Sequence, residues 1–575
     1  MNNISSSEFI LKLKIEQSDI ITINDYTIVG SVRIHFDLHS DGVEFANCIF
    51  KKSVIFENVN LNCGIKFFNC TFENSLIFRI CVARNYNPEF NFDECHIKIS
   101  KSRIYSLSFQ GKNEIKRGIK ICNKSTINRL SVKSIISNMG SFAINDSTIQ
   151  DEFEITDCNF CNSVEIRRDS IIKANVRFMN VVSGSLSFTD SIFEKDIYIW
   201  ANKIDDIIFN NGIFYEDLKI KSVISNNLTL IGTEFKKSFV IEMKDKPNNK
   251  SGSLKSVYIE SAKFGEQFKI NGDSSIINKF TINFLKPLEG AMHFDSCIFL
   301  KAKISGDNHN GNIFFKHCCF NNLSFDFFYN YSTLSIISAK AYGNNSEVSI
   351  TNSNLGKTHF FDVFFNTFEK ITIRNSVLTQ IVTANVKWFK PQNLNTLISS
   401  TQDDFIHKKE IYRQLKFALE KQGNRIESLN FKSLEMKAYK DELFYTKIWY
   451  KKIFSVNRFV LWVGQTNDFG LNWIKPVILA LGFGLLFYCL IVIGISEKIS
   501  YSMNISFESL STTFDELIKH IYALPRLLNP AHSLEKVFKN YNNFGFFVNF
   551  LDYSLKVFLA FFIFQVISAF RKFMK

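Results

Sequence analysis

Phe45-Ala46-Asn47-Cys48-Ile49-Phe50 returns 22 positions later as Phe67-Phe68-Asn69-Cys70-Thr71-Phe72, and midway between them stands Phe56-Glu57-Asn58-Val59-Asn60-Leu61. The unit reads apolar-x-apolar-x-Asn/Asp/Ser, then a small residue, then x and Phe, Ile or Leu. It recurs as Phe142-x-Ile144-x-Asp146-Ser147-x-Ile149, as Phe153-x-Ile155-x-Asp157-Cys158-x-Phe160 and as Leu186-x-Phe188-x-Asp190-Ser191-x-Phe193. Later copies include Met292-x-Phe294-x-Ser296-Cys297-x-Phe299 and Ile371-x-Ile373-x-Asn375-Ser376-x-Leu378. A fixed period held over so many copies is the signature of a repeat architecture.

Strand periodicity turns this pattern into a shape. Residues two apart on a strand face the same way, so Val43 and Phe45, or Val54 and Phe56, point inward together. The pattern resets after only two or three alternations, so each strand is short and turns a corner. The Asn, Asp or Ser belongs at that corner, where its side chain can bond nearby backbone. One coil cannot bury its own apolar face, but stacked coils bury one another. The expectation is a parallel β-helix of about 22 residues per coil over residues 36–385, with about 16 coils and a length of ~75 Å.

Composition fits that picture. Of 575 residues 62 are Phe and only 7 are Pro, and 46% are hydrophobic, which excludes a disordered or collagen-like chain. The phenylalanines are expected to stack as ladders along the core. The net charge of +13 is spread over the whole length and does not point to nucleic acid. The twelve cysteines are expected to be neither a disulfide scaffold nor a metal finger. Cys297 and Cys318 hold the small inward position, so they are read as buried thiols rather than as metal ligands with His317 and Cys319. His35 and His39 lack a third ligand. Met1 to Glu8 has neither basic nor apolar signal character, and residues 1–35 are read as a cap.

The period changes near Trp388-Phe389-Lys390-Pro391, opening a linker over 386–402. Helical stripes follow in a neck over 403–460: Ile411, Leu415 and Leu419, then Ile426, Leu429, Leu434 and Ala438, with Gly423-Asn424 as the turn between them. The neck is expected to cap the open end of the solenoid. A membrane region over 461–575 contains an uncharged stretch from Pro476 to Ile495, so a span is expected at about 473–495. A second, at about 546–570, is interrupted by Asn549, Asp552, Lys556 and Gln565. Asp552 and Lys556 stand four apart and can pair. Lys447, Lys451, Lys452, Arg458 and Lys475 precede the first span and Arg571, Lys572 and Lys575 follow the second. The loop between them, with Glu497 and Lys498 at its start, balances acids against bases. The positive-inside rule then places both termini in the cytoplasm and both spans in the inner membrane.

With small residues two before a central Phe, as in Cys48/Phe50, Cys70/Phe72, Cys158/Phe160 and Ser191/Phe193, the chain resembles the pentapeptide-repeat proteins. That resemblance implies a four-sided, right-handed β-helix. Residues 403–575 look like bacterial pentapeptide-repeat-like membrane proteins: Tyr412-Arg413-x-Leu415-Lys416 to Gln422-Gly423-Asn424, Asn467-Asp468-Phe469-Gly470, Leu528-Asn529-Pro530-Ala531-His532, Asp552-Tyr553, and Gln565 through Phe573. The resemblance implies architecture and address, not an activity.

No Ser-His-Asp order, Walker loop or HExxH is present, so no catalytic residue, metal or cofactor is expected, and the chain is read as no enzyme. The Asn/Asp column is explained by turn chemistry rather than by a sugar cleft. The leading expectation is a membrane-tethered scaffold, interaction or sensing protein. Its partners would be the lipid bilayer, a protein on the solenoid face, and a second copy through the hairpin. The alternative is a channel-like or membrane-perturbing effector whose working parts would be Asn529, His532, Asn549, Asp552, Lys556 and Gln565, with a loop able to dip back as a re-entrant segment. A β-helix enzyme acting on carbohydrate, or an acidic DNA mimic, fits less well.

Overall fold

A computed structural model describes residues 2–15, 20–40, 42–61, 64–83, 95–245, 250–285, 288–396, 401–444, 456–496, 507–539, 541 and 544–570. The chain divides into two compact units, 1–395 and 396–575. The charged residues Lys447, Lys451, Lys452, Glu497, Lys498, Arg571, Lys572 and Lys575 lie outside the described residues, as do Arg571 to Phe573 of the C-terminal motif.

The first unit is a parallel β-solenoid of about 17 coils spaced about 22 residues apart. Among the described residues its coil strands form two large parallel sheets, each built by stacking of successive coils, as in Leu186, Ile207, Leu228 and Val257, and Lys244–Asp245 with Lys250–Ser251 adds a small antiparallel pair. One coil shows the logic. Leu186/Phe188, Ser191/Phe193, Ile197/Ile199 and Asn202/Ile204 are four successive inward pairs, all at most 2% exposed. Four inward pairs make four sides. Two of the four corners are turned by Asp190 and Ala201, with φ of 47° and 53°; the other two are turned by short exposed runs.

The corner residue therefore does more than bond its neighbours. Asn47, Asn58, Asn69, Asp146, Asp157 and Asn211 all take left-handed φ between 44° and 55°, the region that Asn and Asp tolerate best among residues with a Cβ. Their side chains also bond along the stack: Asn69 Nδ2 donates to Asn47 Oδ1 at 2.7 Å, and Asn180 Nδ2 to Asp157 Oδ1 at 2.9 Å. The small residue that follows turns inward, and at several corners it donates back to the carbonyl two positions earlier. Ser147 Oγ does so to Asn145 O at 2.8 Å, and Cys158 Sγ to Thr156 O at 3.2 Å. A buried hydroxyl or thiol is thereby satisfied inside an apolar core.

Phenylalanines stack as expected. Phe193, Phe214, Phe235 and Phe264 form one ladder with ring centroids 4.9, 4.9 and 5.5 Å apart, and Phe50 lies 4.5 Å from Phe72. The coils begin before residue 36: Ile20–Asn24 pairs with Gly42–Ala46, and Val32–Ile34 with Val54–Phe56. Helix α1 (Ser6–Ile15) carries Phe9, fully buried and in ring contact with Phe45 and Phe50. At the other end Leu394–Asn395 still pairs with Ile371–Thr372.

In the second unit, α2 (Thr401–Lys421) and α3 (Arg425–Phe444) form the expected helical hairpin around Gly423, whose φ is 76°. Ile411, Leu415, Leu419 and Ala438 are buried. Ile426, expected on the inner stripe, is 59% exposed; the inner face of α3 runs through Ser428, Phe431, Glu435 and Ala438 instead. Glu435 is drawn inside by Lys416, whose Nζ donates to it at 2.8 Å. Then come α4 (Val456–Gln465), α5 (Ile474–Ile495), α6 (Phe507–Lys519), α7 (Ala523–Leu527), α8 (Leu534–Val537) and α9 (Phe546–Phe570).

Helices α5 and α9 are long and apolar enough to cross a membrane. Only 28% of the most apolar window of each is buried, whereas the core helix of a soluble protein would be mostly covered. They run antiparallel: Trp473 meets Phe570, Phe483 meets Phe558, and Gly494 faces Val548. Ile478, Leu481 and Leu485 on one helix and Tyr553, Val557 and Phe564 on the other remain exposed.

Candidate functional site

The polar residues of the hairpin do not form one cluster. Four of the six candidates meet where the inter-helix segment lies against α9. Asp552 is 4% exposed on that helix, and its two carboxylate oxygens are both engaged: Oδ1 by His532 Nε2 at 2.5 Å and Oδ2 by Lys556 Nζ at 2.6 Å. The pairing of Asp552 with Lys556 follows from their four-residue spacing on a helix. His532 arrives from the turn after α7. Its Nδ1 contacts the Asn529 carbonyl at 2.6 Å, and Asn529 Oδ1 accepts from Ala531 N at 3.0 Å, which shapes the Asn-Pro-Ala-His turn.

The chemistry of this cluster is specific. A carbonyl only accepts, so His532 Nδ1 carries a proton towards Asn529; its Nε2 faces a carboxylate oxygen. The His532 ring, the Asp552 carboxyl group and the Lys556 side chain stand together with most of their bonding capacity used. The arrangement holds a turn against a helix.

That turn sits deep. Leu528 packs over Gly484 so closely that a β-carbon there would lie 2.4 Å from Leu528 Cδ2. Gly484 is eleven residues from the end of α5, about 16 Å at the helical rise. The described part of the inter-helix segment therefore folds back along the two-helix hairpin. Ala523, Leu527, Leu534, Val537 and Phe538 share one apolar cluster with Tyr488, Ile491, Leu551, Leu555 and Leu559. Tyr488, buried on α5, donates its hydroxyl to the Leu517 carbonyl of α6.

The other two candidates lie elsewhere. Asn549, in the first turn of α9, donates to Phe544 O at 3.0 Å and serves as a local helix-end bond. Gln565 is at the far end of α9, where its carbonyl accepts from Asn467 Nδ2 at 3.3 Å. Asn467 was part of a sequence motif but not of the expected site. It also accepts from Gly470 N at 3.0 Å, closing a turn in which Asp468, Phe469 and Gly470 all take positive φ. Lys475 Nζ joins this junction through Gln465 O at 2.8 Å and Asp468 Oδ1 at 3.2 Å.

In the solenoid, Cys297 and Cys318 are fully buried while His317 turns outward at a corner, 3.5 Å from Asp295. The candidate ligand set is thus divided between core and surface. Cys158 and Cys161 have C-x-x-C spacing, but residues three apart on a strand face opposite ways: Cys158 is buried and Cys161 exposed. Burial pushes the Cys158 thiol up to about 12 and that of Cys81 to about 11.

Together these features define the class: a parallel β-solenoid followed by a helical unit with two candidate membrane helices. Compared with known proteins, the chain matches no family model, no curated sequence and no solved structure. The likeness to pentapeptide-repeat membrane proteins accordingly rests on the motifs quoted above.

Proposed function

We propose that this chain is a membrane-anchored, non-catalytic scaffold or sensing protein of the inner membrane, with both termini cytoplasmic and the solenoid side offered to a protein partner. The single observation that carries this reading is how the hairpin uses its polar groups. Asp552 is saturated by His532 and Lys556, and Asn549 is bonded to the backbone beside it. Groups so engaged fasten the re-entrant segment to the spans, as an anchor requires. The second reading, a channel-like effector, draws on the same three residues as a charged cluster at leaflet depth.

Ion flux separates the two. Purified full-length protein in liposomes is expected to leave an ion gradient intact. A steady leak that Asp552→Asn abolishes would establish the channel reading instead. On the solenoid, a photoreactive amino acid at the exposed Tyr198 or Tyr331 in intact membranes is expected to capture one protein reproducibly. Crosslinks no richer than those from untargeted positions would remove the scaffold reading.

A further inference from the structure

Helix α4 is built inside out for a water-soluble surface. Val456, Phe459, Val460 and Trp462 are 75%, 65%, 59% and 52% exposed. Two of its polar side chains bond back to α3. Asn457 Nδ2 donates to the Tyr439 hydroxyl at 3.2 Å, and Arg458 Nη2 donates to the Leu443 carbonyl at 2.5 Å. Leu461 is the one buried apolar residue of the helix, and Gly464 lies under the Phe469 ring. A helix that spends an Arg and an Asn on internal bonds while presenting Phe and Trp outward has an apolar medium on its open side.

Its position along the hairpin identifies that medium. The last residue of α4, Gln465, accepts from Lys475 in the first turn of α5. Two residues beyond it, Asn467 is bonded to Gln565 in the last turns of α9. At this same end Trp473 and Phe570 pair, with ring centroids 5.3 Å apart. So α4 leaves the protein level with the neck-side ends of both spans, where the charged Lys475 marks the limit of the hydrocarbon and tryptophan is favoured.

We infer that α4 is an interfacial helix that lies in the membrane surface on the neck side, with Val456, Phe459, Val460 and Trp462 immersed at the boundary between headgroups and acyl chains. The inference rests on the membrane reading of α5 and α9 and extends it to a third contact with lipid. Mechanically, α4 holds the neck hairpin through Tyr439 and Leu443 and the spans through Gln465. Any force on the neck is then opposed by lipid before it reaches the spans.

Depth-dependent fluorescence quenching tests this. The full-length protein is reconstituted in vesicles of phosphatidylcholine and phosphatidylglycerol, with Trp200, Trp388, Trp449 and Trp473 changed to Phe so that Trp462 is the one remaining tryptophan. Acyl chains brominated near the headgroup are expected to quench it about threefold more strongly than chains brominated near the methyl end, the mark of a helix in the interface. A companion protein keeps only a Leu485→Trp probe in mid-span, and there the preference reverses. Should the Leu485→Trp probe be quenched while Trp462 is untouched by either lipid, the interfacial assignment fails and the spans stand. If neither is quenched, the membrane reading itself fails. Shielding of Trp462 that vanishes on dilution into excess lipid would assign the face to a second copy and overturn the proposal. A second variant, Phe459→Ser with Val460→Ser, guards against misfolding: it retains helical circular dichroism and lowers the shallow quenching of Trp462.

Discussion

At single positions, the solenoid's weak points are corners occupied by the wrong residue. Ile80 takes φ of 53° while 47% exposed, a conformation that costs a β-branched residue about 1–2 kcal/mol. The corner one coil before it is Asn58. Ile80→Asn is therefore expected to stabilise the solenoid by ~1 kcal/mol, read as a higher denaturation midpoint with an unchanged slope. The pattern of Asn, Asp and Ser spaced eleven apart was legible in the chain, but the backbone strain was not: side-chain identity marks a corner without saying which corners need left-handed φ. The buried thiols give a second prediction. Cys158 keeps its proton to about 12 because burial disfavours the thiolate, whereas the unfolded chain loses it in the ordinary thiol range. Stability from this group is complete below that range and falls as pH rises from it towards 12. At about pH 8, iodoacetamide should modify the exposed Cys161 and leave Cys81 and Cys158 intact until denaturant is added, by mass spectrometry.

Elements hold together through stacked rings in one unit and through one ionic cluster in the other. Phe214 is 1% exposed and lies between Phe193 and Phe235, at 4.9 Å from each. Phe214→Ala is expected to cost about 3–5 kcal/mol, and the volume-sparing Phe214→Leu less than half of that, both by chemical denaturation. Such ladders could be anticipated because Phe recurs at one phase of the repeat. The earliest coil could have been anticipated too: Ile21-x-Ile23-x-Asp25-x-x-Ile28 fits the unit, although its apolar residues are all Ile rather than Phe. In the helical unit, the contact of Asp552 with Lys556 followed from helical spacing, while that of Asp552 with His532 did not. They stand twenty positions apart with helix α8 between them, and no periodicity reports such a meeting. Asp552→Ala removes the carboxylate shared by the buried His532 ring and the half-buried Lys556, a loss of about 3 kcal/mol. Amides of residues 527–534 are expected to exchange much faster in nanodiscs, with the α2–α3 hairpin unchanged; equal protection would show that apolar packing alone holds the turn.

For the whole molecule, the arrangement of apolar surfaces makes a prediction about sidedness. On the proposed topology two spans return the chain to the side from which it entered, which would put the C-terminal end and the solenoid in one compartment. On the same topology the segment between the spans enters from the opposite face, its Leu528 reaching Gly484. The basic residues flanking the pair of apolar helices, against a balanced loop, are what the proposed cytoplasmic placement of the termini rests on. In sealed vesicles with the cytoplasmic side inside, added protease should reach the segment around Lys536 and Lys539, both exposed, and spare the solenoid. Inverted vesicles should show the reverse, with the solenoid's exposed Cys161 open to an impermeant maleimide. Labelling of Cys161 from outside in the first preparation would invert the topology, and labelling in both would mean that the apolar helices do not cross. The outcome also bears on partners. A solenoid on the cytoplasmic side keeps Cys81 and Cys158 as thiols in a reducing compartment, and it can meet only proteins held there with it.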